Sequence, residues 1–250
     1  MAASAIAESA QAAPAGRSII EIGIAHMRNT HEDQLRRVAD VWKNGFVPAL
    51  QRAGAGPVGV FSSSIGPGSP FMLTVTSYTS LALYEEVHVK VGADAEFRKV
   101  YGPFESLPGR SYERIENSLL RAFEGMPTII PPENDGKRPP KMFELRMYES
   151  NNMSSLARKI KMFNDGEIAI FQRLGMSPVF FGQTFVGTRM PNLVYMLAFN
   201  DMDHREQCWR AFGGDPEWKK LREMPGYADA DLVSSITNYI VSPLDFSPIR

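Results

Sequence analysis

Three polar side chains alternate along a short segment of the chain, the run "FELRMYE" at positions 143–149. Glu144, Arg146 and Tyr148 stand two residues apart, so on a strand they project from one face while the apolar residues beside them project from the other. A carboxylate can act as a general base, a guanidinium can stabilise developing negative charge, and a phenol can orient a substrate. The segment therefore predicts Glu144, Arg146 and Tyr148 as a catalytic set.

A matching strand near the start of the chain carries smaller residues. Alignment of the two segments places Glu21, Gly23 and Ala25 at the positions of the polar three. We expect the apolar residues of the later strand to pack on helices and its polar residues to face the sheet of the earlier strand, where small residues would leave a polar cavity beside Arg146. Because unpaired buried charge is costly, Glu144 and Arg146 should pair with each other or with Glu21.

Four residues are candidates for substrate binding, namely Glu21, Gly23, Arg173 and Tyr195. The alternative for the polar set is an internal salt-bridge ladder that only fixes the register of the strands. Substitution of Glu144 by Gln separates the two interpretations. A catalytic base would lose turnover at an unchanged melting temperature, whereas a ladder would lose stability.

The chain repeats itself with an offset of 121 residues. The run "LQRAGAGPV" at positions 50–58 aligns with "FQRLGMSPV" at 171–179, and "GADAEFRKV" at 92–100 aligns with "GGDPEWKKL" at 213–221. From position 35 to position 117 there are 17 identities in 83 aligned positions, against roughly five expected from ordinary composition. The sequence therefore predicts two copies of one domain.

Each copy follows the same order of predicted elements, β-α-β-β-α-β. In the first copy "SIIEIGIAHM" alternates like a strand, and apolar residues then recur at helical spacing. Gly54 and its equivalent Gly175 should end the first helix of each copy in the left-handed conformation. Asp94 and Asp215 should cap the last helical segment of each copy, which an aromatic residue three positions later anchors.

This order is that of a ferredoxin-like unit, in which two helices cover one face of a four-stranded antiparallel sheet. The other face needs a partner, and the second copy provides one. We therefore expect an α+β fold of two tandem ferredoxin-like domains whose sheets face each other as a barrel within one chain. The predicted parts are a disordered leader at 1–17, a first domain at 18–126, a proline-rich linker at 127–140 and a second domain at 141–250.

The second copy contains the runs "FELRMYES", "FQRLGMSPVFFG" and "NLVYMLAFNDMDHREQCWRAFGGDPEW". These runs are similar to the opening "YELRxY" strand, the mid-domain glycine turn and the closing "DPEW" motif of the NIPSNAP family, so the second copy resembles that family. The first copy is similar more loosely, as in tandem-domain bacterial members, although its "IEIGIAH" and "ADAEF" depart from the motifs. The resemblance implies the dimeric α+β barrel fold, shared with cofactor-independent monooxygenases and haem-degrading enzymes, and implies no particular reaction.

The remaining motifs favour neither a metal site nor a nucleotide site. "GAGPVG" at 54–59 has the letters of a dinucleotide fingerprint, but it follows a predicted helix and leads into a strand, the reverse of the required context. The four histidines show no helical pairing with one another, and Cys208 is expected to be a buried structural thiol. We therefore predict no metal and no cofactor, with haem ligation by His88 or His204 as the weaker alternative to surface or capping roles.

Composition argues against several classes of partner. A formal net charge of -1 gives no field that would attract nucleic acid or an anionic membrane, and no apolar run reaches the roughly 18 residues of a spanning helix. The first 16 residues lack the basic start and apolar centre of a signal peptide, so the chain as written is expected to be cytoplasmic. Their "AQAAP" is similar to the end of an export signal, and a longer natural precursor would instead be exported to the periplasm.

The sequence leaves two main hypotheses for function, an enzyme and a non-catalytic protein. In the first hypothesis a small organic molecule binds in a polar barrel cavity, or between sheet and helices, and undergoes cofactor-independent oxygenase- or isomerase-like chemistry. In the second, the chain is a non-catalytic protein-interaction or sensing module with a filled barrel and an exposed apolar patch. Haem binding is a third hypothesis. Because the sheet faces cover each other within the chain, helix surfaces are left for a homodimer.

Overall fold

The computed structural model of the chain describes residues 16–134, 136 and 140–250. Most of the predicted leader and four positions of the predicted linker lie outside that part of the chain.

The first copy of the repeat, called unit 1 below, folds into four strands with helices on one face. Its elements in chain order are β1 (Ile19–His26), α1 (Gln34–Val41), α2 (Val47–Ala53), β2 (Val58–Ile65), β3 (Phe71–Tyr78), α3 (Leu81–Ala93), α4 (Ala95–Glu105) and β4 (Arg114–Ala122). A π-helical turn at Trp42–Phe46 joins α1 and α2 into one long helix.

The second copy, unit 2, has the same plan. Its elements are β5 (Met142–Glu149), α5 (Met153–Met162), α6 (Ile168–Arg173), β6 (Ser177–Val186), β7 (Asn192–Phe199), α7 (Met202–Gly214), α8 (Pro216–Arg222), α9 (Asp229–Leu232) and β8 (Ser235–Pro243). A π-helical turn at Phe163–Glu167 joins α5 to α6, at the offset of 121 residues from its counterpart in unit 1.

Within the described residues, eight strands close into one barrel. The order around the barrel is β1-β3-β2-β8-β5-β7-β6-β4, and the neighbouring strands are antiparallel. The units join where β2 pairs with β8 and where β4 pairs with β6. The predicted fold of two ferredoxin-like units whose sheets face each other is confirmed.

The strand register confirms the predicted equivalence of β1 and β5. Glu21 pairs with Thr76 across the β1–β3 ladder, and Glu144 pairs with Leu197 across the β5–β7 ladder. Thr76 and Leu197 are separated by the repeat offset of 121 residues. Glu21 and Glu144 therefore hold the same place in their units.

The predicted helix signals are also in place. Gly54 and Gly175 have φ angles of 97° and 81°, in the left-handed region that favours glycine, directly after the long helix of each unit. Asp94 caps α4 and Asp215 caps α8, each through hydrogen bonds from backbone N–H groups two and three residues later. Both copies therefore end the long helix, and begin α4 or α8, with the same local chemistry.

The sheet packs on both faces, because the barrel interior covers one face and the helices cover the other. Phe143 and Leu145 lie in the apolar core inside the barrel, whereas Tyr148 lies in the core beneath the helices of unit 2. The predicted orientation of β5 is therefore wrong. Its apolar residues face the opposite sheet, and Glu144, Arg146 and Tyr148 face the helices of their own unit.

Candidate functional site

In unit 2 the predicted polar set forms a hydrogen-bonded network beneath the helices. Glu144 is fully buried. It accepts hydrogen bonds from Arg146 Nη1 at 2.9 Å, from Arg205 Nε and Nη2 at 2.9 and 2.6 Å, and from Trp209 Nε1 at 2.9 Å. Arg146 also donates to the Tyr148 hydroxyl, at 3.3 and 3.1 Å. Both carboxylate oxygens of Glu144 are therefore occupied by protein donors.

Two further pairs extend this network. The hydroxyls of Tyr148 and Tyr195 lie 2.8 Å apart. Lys159 Nζ donates to Glu167 Oε2 at 2.9 Å, and both side chains are almost completely buried. The Lys159 ammonium also lies 4.8 Å from the centre of the Phe163 ring. Each of these buried charges thus has a partner of opposite sign, as buried charges require.

The electrostatics of Glu144 favour a structural role. Burial works against its ionised form, but the hydrogen bond from Arg205, the charge of Arg146 and the bond from Trp209 outweigh burial, so its pKa lies below the ordinary value of 4.5. The predicted pairing of Glu144 with Arg146 is confirmed, while Glu21 lies in the other unit. Because the carboxylate is saturated with donors, the geometry favours the internal-ladder alternative, and a catalytic role for the three residues stays a prediction.

Unit 1 contains a cavity where unit 2 contains the network. Gly23, Ala25 and Thr74 hold the register positions that the arginine and two tyrosines hold in unit 2. On the helices, Val38 and Phe46 hold the positions of the buried lysine and glutamate. The result is a cavity of about 190 Å³ between the sheet and the helices. Its other walls are mostly apolar or aromatic and include Val41, Trp42, Leu50, Met72, Val91 and Tyr101.

Glu21 brings a carboxylate to this cavity, with a side chain that is 13% exposed. The Tyr78 hydroxyl donates to Glu21 Oε2 at 2.8 Å, and His88 Nε2 lies 3.8 Å from the same oxygen. Among the described residues, no hydrogen-bond donor contacts the other oxygen, Oε1. Burial, with the charge of Glu21 as a second cause, raises the pKa of Tyr78, so this hydroxyl keeps its proton and continues to donate.

His88 has a defined proton arrangement. Its Nδ1 lies 2.8 Å from the backbone carbonyl oxygen of Tyr84, which can only accept, so Nδ1 carries a proton. In the neutral ring, Nε2 is then free to accept a proton. In unit 2, Trp209 stands at the equivalent position and donates to Glu144. Both units therefore link a helix residue to the strand carboxylate, and unit 1 does so with a titratable ring that is 47% exposed.

Gly23 keeps the floor of the cavity open. A Cβ atom added at residue 23 would lie 2.6 Å from Thr74 Oγ1 and 3.1 Å from Asn117 Oδ1. A larger residue at this position would therefore collide with the floor and project into the space above it. The Thr74 hydroxyl and the Asn117 carboxamide are therefore polar groups that lie beside Gly23 in the lining of the cavity.

Arg173 and Tyr195 lie in different surroundings. Tyr195 belongs to the unit 2 network, whereas Arg173 is half-exposed and contacts Asp215 at 3.0 Å and Glu217 at 3.1 Å. Arg52 makes the equivalent contact with Asp94 in unit 1, at 2.6 Å. Arg173 therefore supports a helix cap that both units share, and its predicted substrate binding stays a prediction.

The interpretation of the sequence missed two features of these sites. It did not pair His88 with Glu21, and it did not place charged helix residues against β5. A signal was present in α5 and the following π-helical turn, where Lys159 and Glu167 interrupt the apolar stripe that unit 1 keeps intact. Charged residues on the buried side of a helix indicate that the strand beneath them is polar on the same side.

Other site types receive no support from the described residues. In that part of the chain no group of three or more His, Cys, Asp or Glu side chains is arranged to hold a metal ion. None of the helices described there combines the length and the apolar composition needed to cross a membrane. Cys208 is a free, buried thiol whose pKa is raised by burial, as expected of a structural cysteine.

The closed barrel of two repeated β-α-β-β-α-β units defines the class of protein, a dimeric α+β barrel with both halves on one chain. The sequence profile of the NIPSNAP family matches residues 30–124 and 143–248, one match in each unit. The chain therefore belongs to the NIPSNAP family. A search of curated proteins finds no significant match.

Solved structures share this fold. A proposed monooxygenase from Fusobacterium nucleatum subsp. nucleatum is 6% identical over 92% of this chain and 94% of its own, with a TM-score of 0.59. A second proposed monooxygenase, from Lactobacillus acidophilus, is 9% identical over 91% of this chain and 94% of its own, with a TM-score of 0.58. A NIPSNAP family protein from Agrobacterium tumefaciens is 22% identical over 48% of this chain and 100% of its own, with a TM-score of 0.41. The first two align along both units and share the two-unit architecture.

Proposed function

We propose that the chain binds a small, mostly apolar molecule in the unit 1 cavity and that Glu21 removes a proton from it. The observation that carries this proposal is a carboxylate at the wall of a cavity of about 190 Å³, one of whose oxygens accepts no hydrogen bond from the residues that the structure describes. An apolar cavity of about 150 Å³ is enough to hold a benzene-sized ligand. A small aromatic or alicyclic molecule therefore suits the available space.

The surrounding residues have separate roles in this proposal. Tyr78 fixes Glu21 through the hydrogen bond to Oε2, which leaves Oε1 to accept the proton. His88 is half-exposed and 3.8 Å from Glu21, so it is placed to pass the proton to solvent. Thr74 and Asn117 border the floor at Gly23, where they would orient a carbonyl or hydroxyl oxygen of the substrate.

The chemistry begins with removal of a proton from a carbon next to a carbonyl group, which gives an enolate. Return of the proton to a different atom is an isomerisation. Reaction of the enolate with dioxygen is a cofactor-independent oxygenation, and conversion of one CH2 group to C=O by one O2 releases one water, so atoms and electrons balance. The two neighbours named as proposed monooxygenases are similar in fold, and the proposal depends on the cavity and not on their names.

Binding is tested with 1-naphthol, whose fluorescence reports a change of environment. In Thr74→Tyr, the residue found at the equivalent position of unit 2 should fill the cavity, so we expect the affinity for 1-naphthol to fall at least about tenfold. Thr79→Tyr makes the same substitution at an exposed site and is the matched control. Equal binding by wild type and Thr74→Tyr would contradict the location of the site.

Proton removal is tested with 2-tetralone, an enolisable bicyclic ketone, by following hydrogen–deuterium exchange at its acidic carbon by NMR. A positioned general base contributes about 10² to 10⁴ in rate, so Glu21→Gln should slow the protein-dependent exchange at least about 100-fold. Glu144→Gln, assayed below its melting temperature, should retain it. An oxygen electrode then separates oxygenation from isomerisation. If Glu21→Gln exchanges hydrogen as fast as wild type, the proton-transfer step is wrong, but the proposed binding site is not affected by that result.

One observation favours the non-catalytic alternative. Large apolar side chains are exposed near one end of the barrel, among them Ile65 at 61%, Val186 at 54% and Ile236 at 48%. Such residues can mark a protein-binding surface. This alternative predicts that no small molecule in a panel of aromatic alcohols and ketones raises the melting temperature, because the cavity would have no ligand to bind.

A further inference from the structure

A second cavity lies at one end of the barrel, on the opposite side of β1 from the unit 1 cavity. Its volume is about 200 Å³. Ile22, Leu145 and Val194 form an apolar floor contributed by both units. The loops at 66–70 and 187–191, which are equivalent in the repeat, border its mouth. This space is therefore built by the joining of the two units and belongs to neither alone.

The two arginines at the mouth of this cavity have more N–H donors than the neighbouring protein acceptors use. Arg114 Nε donates to Glu116 at 2.7 Å, and Arg189 Nη1 donates to the Thr237 hydroxyl at 3.0 Å. Among the described residues these are the side-chain hydrogen bonds of the two guanidinium groups, and Arg189 Nη1 also lies 3.9 Å from Glu149 Oε1. Each guanidinium therefore keeps N–H groups that no hydrogen bond in that part of the chain occupies. His26 Nε2 is buried and forms no hydrogen bond with any residue that the structure describes, although it lies 3.4 Å from a Glu116 oxygen. The contact between His26 and Glu116 lies within hydrogen-bond distance but lacks hydrogen-bond geometry.

The backbone at Arg189 also distinguishes this mouth. Arg189 has a φ of 57°, in the left-handed region that costs a side-chain-bearing residue free energy. The equivalent position in unit 1 is Gly68, with a φ of 71°. The turn favours glycine, which unit 1 has at this position. Unit 2 has an arginine there, and its guanidinium lies at the edge of the cavity.

We propose that the barrel-end cavity binds an amphipathic monocarboxylic acid. Its apolar part would lie on the floor of Ile22, Leu145 and Val194, and its carboxylate would accept hydrogen bonds from Arg189 and Arg114 at the mouth. A guanidinium fork matches the two oxygens of a carboxylate. Glu116 borders the cavity, so a dianion such as a phosphate monoester meets more repulsion there than a single carboxylate does.

The test is calorimetric titration of the full chain with hexanoate, octanoate and decanoate, and with octanol as the uncharged counterpart. Burial of each added methylene should raise affinity about fourfold until the floor is filled. Arg189→Gln should weaken octanoate binding by about tenfold or more, because a charge-assisted hydrogen bond is lost, and should change octanol binding little. Arg210→Gln, at an exposed site on α7, is the matched control.

Two further variants keep this test decisive. Arg114→Gln should also weaken octanoate binding, so a folding defect in one variant does not remove the test. Thr74→Tyr fills the unit 1 cavity and should leave octanoate binding unchanged. The proposal is overturned if octanoate fails to bind wild type, if affinity is insensitive to both arginine substitutions, or if Thr74→Tyr abolishes binding, because the last result would place octanoate in unit 1.

Discussion

Substitution of Glu144 by Gln should destabilise the protein strongly. Glu144 is fully buried, and it accepts hydrogen bonds of 2.6 to 2.9 Å from the guanidinium groups of Arg146 and Arg205. Removal of one partner from a buried ion pair costs about 3 to 5 kcal/mol. For a chain of this size, each kcal/mol lowers the melting temperature by about 2 to 4 °C, so the expected drop is about 6 to 20 °C.

The assay is thermal unfolding together with urea titration, with Glu21→Gln as the matched control. Glu21 is the equivalent residue of unit 1, and a Gln carbonyl there could still accept the Tyr78 hydroxyl, so the expected loss is only about 1 kcal/mol. A melting temperature of Glu144→Gln within about 2 °C of wild type would show that the buried carboxylate does not stabilise the fold. Loss of 2-tetralone exchange at unchanged stability would instead support the predicted catalytic role of Glu144.

Three other outcomes follow from the described contacts. Lys159→Met alone should lower the free energy of unfolding, measured in urea, by about 3 to 5 kcal/mol, because it leaves Glu167 buried and unpaired. Adding Glu167→Leu should recover that loss. A double variant no more stable than the single one would contradict this prediction. Folding lowers the pKa of Glu144 below its ordinary value of 4.5. The stability that ionised Glu144 contributes is therefore complete above pH 4.5 and is lost as pH falls through the pKa of the folded state. Acid should consequently reduce the stability of wild type more steeply than that of Glu144→Gln. Haem titration should produce no protein-dependent Soret shift, because the cavity that His88 borders, of about 190 Å³, is too small for a porphyrin ring. A shift abolished by His88→Gln would contradict that expectation.

The sequence predicted the architecture well, because the repeat supplied two independent copies of each signal. The glycines at 54 and 175 and the aspartates at 94 and 215 marked helix ends and helix starts in both copies. The exposed sheet face implied by β-α-β-β-α-β then required a partner, and the second copy was the available one.

The alternation of residues along β5 could not assign its two faces, because neither faces water. In an ordinary half-buried strand the polar set faces solvent, and alternation identifies the sides. In this barrel Phe143 packs inside while Glu144 is buried under the helices, and both are fully hidden. Alternation separates such faces without saying which one the helices cover. The charged residues Lys159 and Glu167 carried that information, because charges on the buried side of a helix indicate a polar strand face beneath them.

The same error displaced the predicted cavity. Small residues at Gly23 and Ala25 do leave space, as the sequence indicated, but the space lies beneath the helices of unit 1. The matching space in unit 2 holds Arg146 and Tyr148. The two copies therefore share a backbone and differ in what fills the layer between sheet and helices.

The most direct measurement of this difference is a crystal structure of the full chain under xenon pressure, since xenon enters apolar cavities of this size. We expect a xenon site in unit 1, between Gly23 and Trp42, and none between Arg146 and Phe163 in unit 2. Xenon beneath the helices of unit 2 with unit 1 empty would show that the two units are not filled as described.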